Sequence, residues 1–418
     1  MEKNTMKKRK LTIEEGLYLL LAGTALLALI LYVSFCLDNL MHSDTTAEVI
    51  LSKFLADRNE LISKEWFYST EIRVIYTQLV MVPLFKIFSS YRLVKLLSVF
   101  IYYAVLLYAW HMLTKRFTLE KKWIFLGLAL LLAPLSNEYL DMMFIGCFYT
   151  TQTICMYLVL SFVLKEKKNR KMWIREGIVL SILSVLLGMT GLRYLASLYL
   201  PMLLAFLLFP VLERDGNKKE NWQNITFSLL LTGFAGIGFL INKFYLAVQY
   251  SFDTTSEVSF VPIDEIPDRF LTSIRLMLEF MGYHQIRVVT PLGIVNAVKC
   301  LFFLAFIAMI VALFRKRMEL TGKERFLLYF FLLLFLINWY MLIFTDVLQQ
   351  YRYWLPVYVT GAVLICVFMQ HFRPATVFQK PLLCAFLALV VLSSLYGELW
   401  QDVKYNCLLY TSDAADDL

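Results

Sequence analysis

Apolar runs of membrane-spanning length recur from one end of this chain to the other, and they constrain the fold more than any other feature. The first is Leu17 to Cys36. Others follow near 93–113, 123–138, 142–163, 174–191, 194–211, 224–242, 293–314, 326–344, 354–370 and 381–398. A helix needs about 20 mainly apolar residues to cross the hydrocarbon core. Within lipid only helices or closed barrels satisfy their own backbone polar groups. Hydrophobic residues make up 60% of the 418, and mean hydropathy is +0.65. The 17% that are charged sit mostly in short clusters between the runs. A soluble domain of this length would carry far more polar surface. The expected fold is therefore an all-α polytopic transmembrane bundle, read as one unit over 1–406.

Charge parity turns the runs into a topology, because cytoplasmic loops are enriched in Lys and Arg. Lys7-Lys-Arg-Lys10 precedes the first run, which is long enough to span and has no small-residue cleavage site after it. It reads as a retained span with a cytoplasmic N-terminus. Val74 to Phe88 is apolar but short, and it carries Gln78, Pro83 and Lys86. If it crossed, Lys115, Arg116, Lys121 and Lys122 would fall outside, so it is expected to lie in the interface. The remaining runs then alternate, for about eleven spans. The formal net charge of +8 follows from these loops, and no nucleic-acid partner is implied. Six of the seven cysteines, from Cys36 to Cys384, lie in or beside apolar runs without paired or metal-like spacing. No internal repeat of the kind seen in transporters is evident. Residues 407–418 resemble translated sequencing-adapter read-through and are set aside as a non-native tail.

Two long segments fall on the outer side, 37–92 and 243–292. In the second, Phe270, Leu271, Ile274, Met277, Leu278 and Met281 recur at helical spacing opposite Arg269, Arg275 and Glu279, as in a helix lying in the interface. In the first, His42-Ser-Asp-Thr-Thr-Ala-Glu48 opens a helix with an apolar stripe of Ala47, Ile50, Leu51, Phe54 and Leu55. Asp44 and Glu48 are four apart and can share a face. Glu48 also fits a capping box with Thr45, and Asp44 also reads as a solvated loop acid. The next outer loop carries Asn137-Glu138-Tyr-Leu-Asp141. Arg193 in Gly191-Leu-Arg-Tyr194 and Arg352 in Gln350-Tyr-Arg-Tyr-Trp-Leu-Pro356 stand at outer span ends, where arginine binds phosphate or snorkels beside aromatics. His284 lies beside Arg287 in the second long segment.

The order of these features resembles the GT-C fold glycosyltransferases, such as protein O-mannosyltransferases and lipid A aminoarabinose transferases. The likeness is carried by the acid shortly after span one and by Thr77-Gln-Leu-Val-Met-Val-Pro-Leu-Phe85. Tyr91-Arg-Leu-Val-Lys-Leu-Leu97 leads into the next span, and Arg352 to Pro356 opens a late one. It implies a bacterial cell-envelope enzyme that takes a sugar from a polyprenyl-phosphate donor. The acceptor is a glycan, lipid or protein on the extracytoplasmic side. By position Asp44 is then the catalytic base, and Arg352 and Arg193 hold the donor phosphate. Glu48, Glu138 and Asp141 are a possible acid or second ligand. Asp44 and Asp141 are candidate ligands for Mg²⁺ or Mn²⁺, although the first loop lacks the family's paired acids. His284 is an acceptor contact. It is also, with Arg275 and Arg287, the site of a rival reading as an O-antigen ligase or polysaccharide polymerase. A transporter or lipid flippase is the third reading, with Lys299 and Asn338 the nearest mid-membrane polar groups.

Overall fold

The computed structural model describes residues 11–68, 72–166, 170–212, 218–252, 259–283, 290–347, 349–400 and 403. His284, Arg287 and the 407–418 tail lie outside them. The described chain is all-α apart from one two-residue strand pair and an isolated bridge between Phe260 and Thr345.

Among the described residues eight helical stretches are long and apolar enough to cross a membrane: Ile13–Cys36, Tyr91–Thr114, Leu192–Leu212, Asn221–Gln249, Pro291–Arg315, Gly322–Phe344, Tyr351–His371 and Gln379–Trp400. The first is α1, opened by a capping box in which Thr12 and Glu15 satisfy each other's amides. Its outward face keeps Leu20, Leu27 and Leu31 exposed, as a lipid-facing helix does. The protein is an integral membrane protein by these helices.

The remaining elements place the segments between these helices. Helices α2 (Ser43–Arg58) and α3 (Gln78–Phe85) follow α1 and pack on each other. Eight residues rise only about 12 Å, so α3 is far too short to cross, as expected for Val74 to Phe88. Helix α4 is Tyr91–Thr114 and α5 is Lys121–Leu132.

Two runs expected as straight spans, 123–138 and 142–163, are not straight. Pro134 drives Ala133 to an extended conformation and stops α5. The chain bends by 104° into α6 (Asn137–Leu140) and a π-helical turn at Asp141–Ile145. After a break where Cys147 has φ of 60°, α7 runs over Thr150–Val163. At 14 residues, α7 is about 21 Å long, short of a full crossing. Carbonyls freed at the end of α5 are taken up by tyrosines. Tyr139 donates to Leu131 O at 2.6 Å and Tyr358 to Leu130 O at 2.7 Å.

Helix α8 (Arg170–Gly188) leads through Gly191, whose φ of 108° suits glycine, into α9 (Leu192–Tyr194). A π turn and α10 (Leu200–Leu212) follow. Helix α11 (Lys218–Ile241) and the short α12 (Ala247–Gln249) precede strand β2 (Ser251–Phe252), which pairs in parallel with β1 (Phe67–Tyr68). The amphipathic α13 covers Ile266–Phe280. It buries Ser273, Leu276 and Phe280 against the bundle and leaves Phe270 and Leu271 exposed. Next come α14 (Pro291–Arg315), α15 (Gly322–Phe344), α16 (Leu355–His371) and α17 (Gln379–Ser394). Arg269 of α13 donates to the carbonyls of Leu342, Thr345 and Val347, satisfying the open C-terminal end of α15. Helix α16 is the centre of the bundle, with every residue from Leu355 to Met369 buried.

Candidate functional site

Helix α2 begins at Ser43, one turn's reach beyond the end of α1, so Asp44 lies in its first turn and not in the loop before it. Asp44 is exposed and Glu48 sits one turn further in. The expected capping box is absent. The N-cap is His42, whose Nδ1 accepts from the Asp44 amide at 3.3 Å. Glu48 instead accepts a hydrogen bond from Thr77 Oγ1 at 2.9 Å. Burial pushes its carboxyl above the ordinary value of 4.5, opposed by Arg73, Thr77 and Lys95. The packed face of α2 is also rotated from the expected stripe. Leu51 and Leu55 of that stripe are buried, joined by Thr45, Val49 and Ser52, whereas Ala47 and Ile50 are exposed. Ser52 enters the packed face by donating to Glu48 O at 2.8 Å, a satisfaction that hydropathy does not register.

The bend between α5 and α7 delivers the second loop to the same place. Asp141 Oδ1 lies 3.0 Å from His42 Nε2, and Glu138 is within electrostatic reach of both. Lys95, one turn into α4 and fully buried, donates to Gly146 O at 3.2 Å. It lies within electrostatic reach of Glu48, Asp141 and Cys147. The guanidinium of Arg73 stacks over Tyr76 at 4.5 Å, and that of Arg193 over Tyr149 at 4.5 Å. Tyr76 is buried and stacked on Phe148, and its hydroxyl has no hydrogen-bond partner among the described residues. Glu48, Arg73, Arg193 and Tyr149 all lie within its electrostatic reach. Arg352, in a 3-10 turn at Tyr351–Trp354, joins through Tyr353, which also feels Tyr149 and Arg193.

Asp44, Glu48, Glu138, Asp141, Arg193 and Arg352 therefore gather in one region, together with His42, Arg73 and Lys95, for which the sequence carries no such signal. A histidine opening a polar loop and a lysine inside an apolar run gave no spacing signal. His284 lies outside the described residues. Arg275 pairs with Glu279 on its own helix at 3.7 Å and is largely exposed.

The donor set does not fit a divalent metal. Among the described residues no three His, Cys, Asp or Glu side chains converge as metal ligands. One Asp141 oxygen is engaged by His42, and Lys95 lies within electrostatic reach of Glu48 and Asp141. Mg²⁺ or Mn²⁺ wants about six oxygen ligands, and these side chains do not converge to supply them.

An apolar groove of about 1250 Å³ runs from the other face of α9. Leu192 and Leu195 form one wall, Phe270 and Leu271 of α13 the outer rim, and Trp339 and Phe344 of α15 the opposite side. Leu192 in this groove and Arg193 in the charged cluster are consecutive residues. No protein-family model matches the chain, and neither a curated protein nor a solved structure matches it.

Proposed function

We propose that this chain is a GT-C-type glycosyltransferase, moving a sugar from a polyprenyl-phosphate carrier to an acceptor hydroxyl outside the cytoplasm. The observation that carries the reading is the exposed Asp44 carboxylate within a cluster built from both outer loops, beside a lipid-sized apolar groove. In this reading the carrier's hydrocarbon tail lies along Leu195, Phe270 and Trp339, and its phosphate meets Arg193 and Arg352. The acceptor hydroxyl gives its proton to Asp44. The hydroxyl oxygen forms a bond to the anomeric carbon as the bond from that carbon to the phosphate oxygen breaks. Polyprenyl phosphate leaves with the electron pair, its added charge met by the two guanidiniums. The reading takes about eleven passages, an inside N-terminus and a bacterial cell membrane, all from charge parity and resemblance.

The test is sugar release from polyprenyl-phosphate donors by the purified protein in lipid. Asp44→Asn is expected to lose about 10²–10⁴-fold in turnover, the range of a positioned general base. Full turnover in Asp44→Asn overturns the assignment. Loss in His284→Ala alone moves the chain to the ligase or polymerase class.

A further inference from the structure

We propose that His42 is the positioning residue of this site, a bridge that holds Asp44 of the first outer loop and Asp141 of the second in one geometry; its catalytic consequence rests on the transfer reading above.

The hydrogen bonds determine the ring's state. Nδ1 accepts from the Asp44 amide at 3.3 Å, so it carries no proton. The ring proton is then on Nε2, which lies 3.0 Å from Asp141 Oδ1 and 2.9 Å from Thr45 Oγ1. Both ring nitrogens are engaged, and neither is left to take a proton from an acceptor hydroxyl. His42 therefore acts by fixing the backbone at Asp44 and the carboxylate of Asp141. Phe148 holds the ring from another side at 6.1 Å between centroids, and Phe148 is itself stacked on Tyr76.

The choice of residue points the same way. Asn, Asp and Ser are the favoured N-caps, and histidine gives up capping quality. What the imidazole adds is reach. It satisfies the second amide of α2 with one nitrogen and touches the turn at Asp141, 99 residues away in sequence, with the other.

His42→Asn separates the two roles, because the Asn oxygen still caps α2 but cannot also reach Asp141. We expect its thermal midpoint to match wild type, with kcat down about 10²-fold at unchanged donor KM, as for a misplacement near 1 Å. Asp141→Asn should lose as much, and the double variant no more than either single one. Wild-type kcat in His42→Asn, or losses that multiply in the double variant, overturns the bridge.

A second measurement needs no turnover. In protein with ¹⁵N-labelled histidine, a signal for a bare Nδ1 and protonated Nε2 should vanish in His42→Asn. A proton on Nδ1 overturns the bridge. A correct spectrum in a wild-type protein that releases no sugar supports the bridge and overturns the transfer reading instead.

Discussion

The outer cluster and the Lys299–Glu398 pair both bring charge against apolar helices, and they do so in opposite ways. Lys299 of α14 and Glu398, in the π turn after α17, form an ion pair with side chains 1% and 5% exposed. Gly282, with φ of 90°, closes the turn after α13 against Lys299, where any Cβ would strike Leu135 O and the lysine side chain. That arrangement sets a cation against an anion and encloses both. Around His42 four acids, Asp44, Glu48, Glu138 and Asp141, share one region with four cations, Lys95, Arg73, Arg193 and Arg352, and Asp44 is exposed. Paired, enclosed charge joins helices, whereas charge of both signs left reachable at a groove mouth is the pattern of a working site.

The contrast can be broken most directly at Lys299. Replacing it by Met leaves Glu398 buried without its cation and should cost about 3–5 kcal/mol in thermal unfolding, with turnover per folded molecule unchanged. Adding Glu398→Leu should recover most of the loss. A stable but inactive Lys299→Met protein would place chemistry at the sealed pair. On the other side, Arg193→Ala removes a charge-assisted contact worth about 1.5–3 kcal/mol and should raise donor KM tenfold or more without a matching loss of stability. Arg193→Lys should restore only part of it, since the planar fork is lost.

The smallest effect concerns Glu48. Its carboxyl is raised by burial, so the protonated form is favoured in the folded protein, and stability falls as pH climbs through the shifted value. Glu48→Gln should melt with wild type at pH below the ordinary 4.5 and above it as the pH rises. A gap that widens toward acid would reverse the sign and exclude the burial argument.

Much of this could be read from the sequence, and the remainder has identifiable physical causes. Long apolar runs announce helices because lipid permits little else, and Asp44, Asp141, Arg193 and Arg352 stand out as charges at run ends. Lys95 was hidden because a lysine one turn inside an apolar helix reads as snorkelling, and only the arrival of Gly146 and Asp141 from another loop explains its burial. Glu48 was misread because Thr45 three residues earlier mimics a cap. The cap residue is decided by where α2 starts, and His42 makes that choice through a tertiary contact. The bend after α5 was missed because hydropathy averages over Pro134 and the four residues Gly146 to Tyr149.

The small parallel pairing of β1 with β2 also bears on how the protein is made. Phe67–Tyr68 is hydrogen-bonded to Ser251–Phe252, so roughly 180 residues separate the two halves of the clasp. At about 5–20 residues per second, a ribosome needs on the order of ten seconds or more to supply the second half. Until then β1 has no partner strand. When Phe252 is made, the four long apolar helices from Pro291 onward are still to come, so the clasp can close only from about the middle of synthesis.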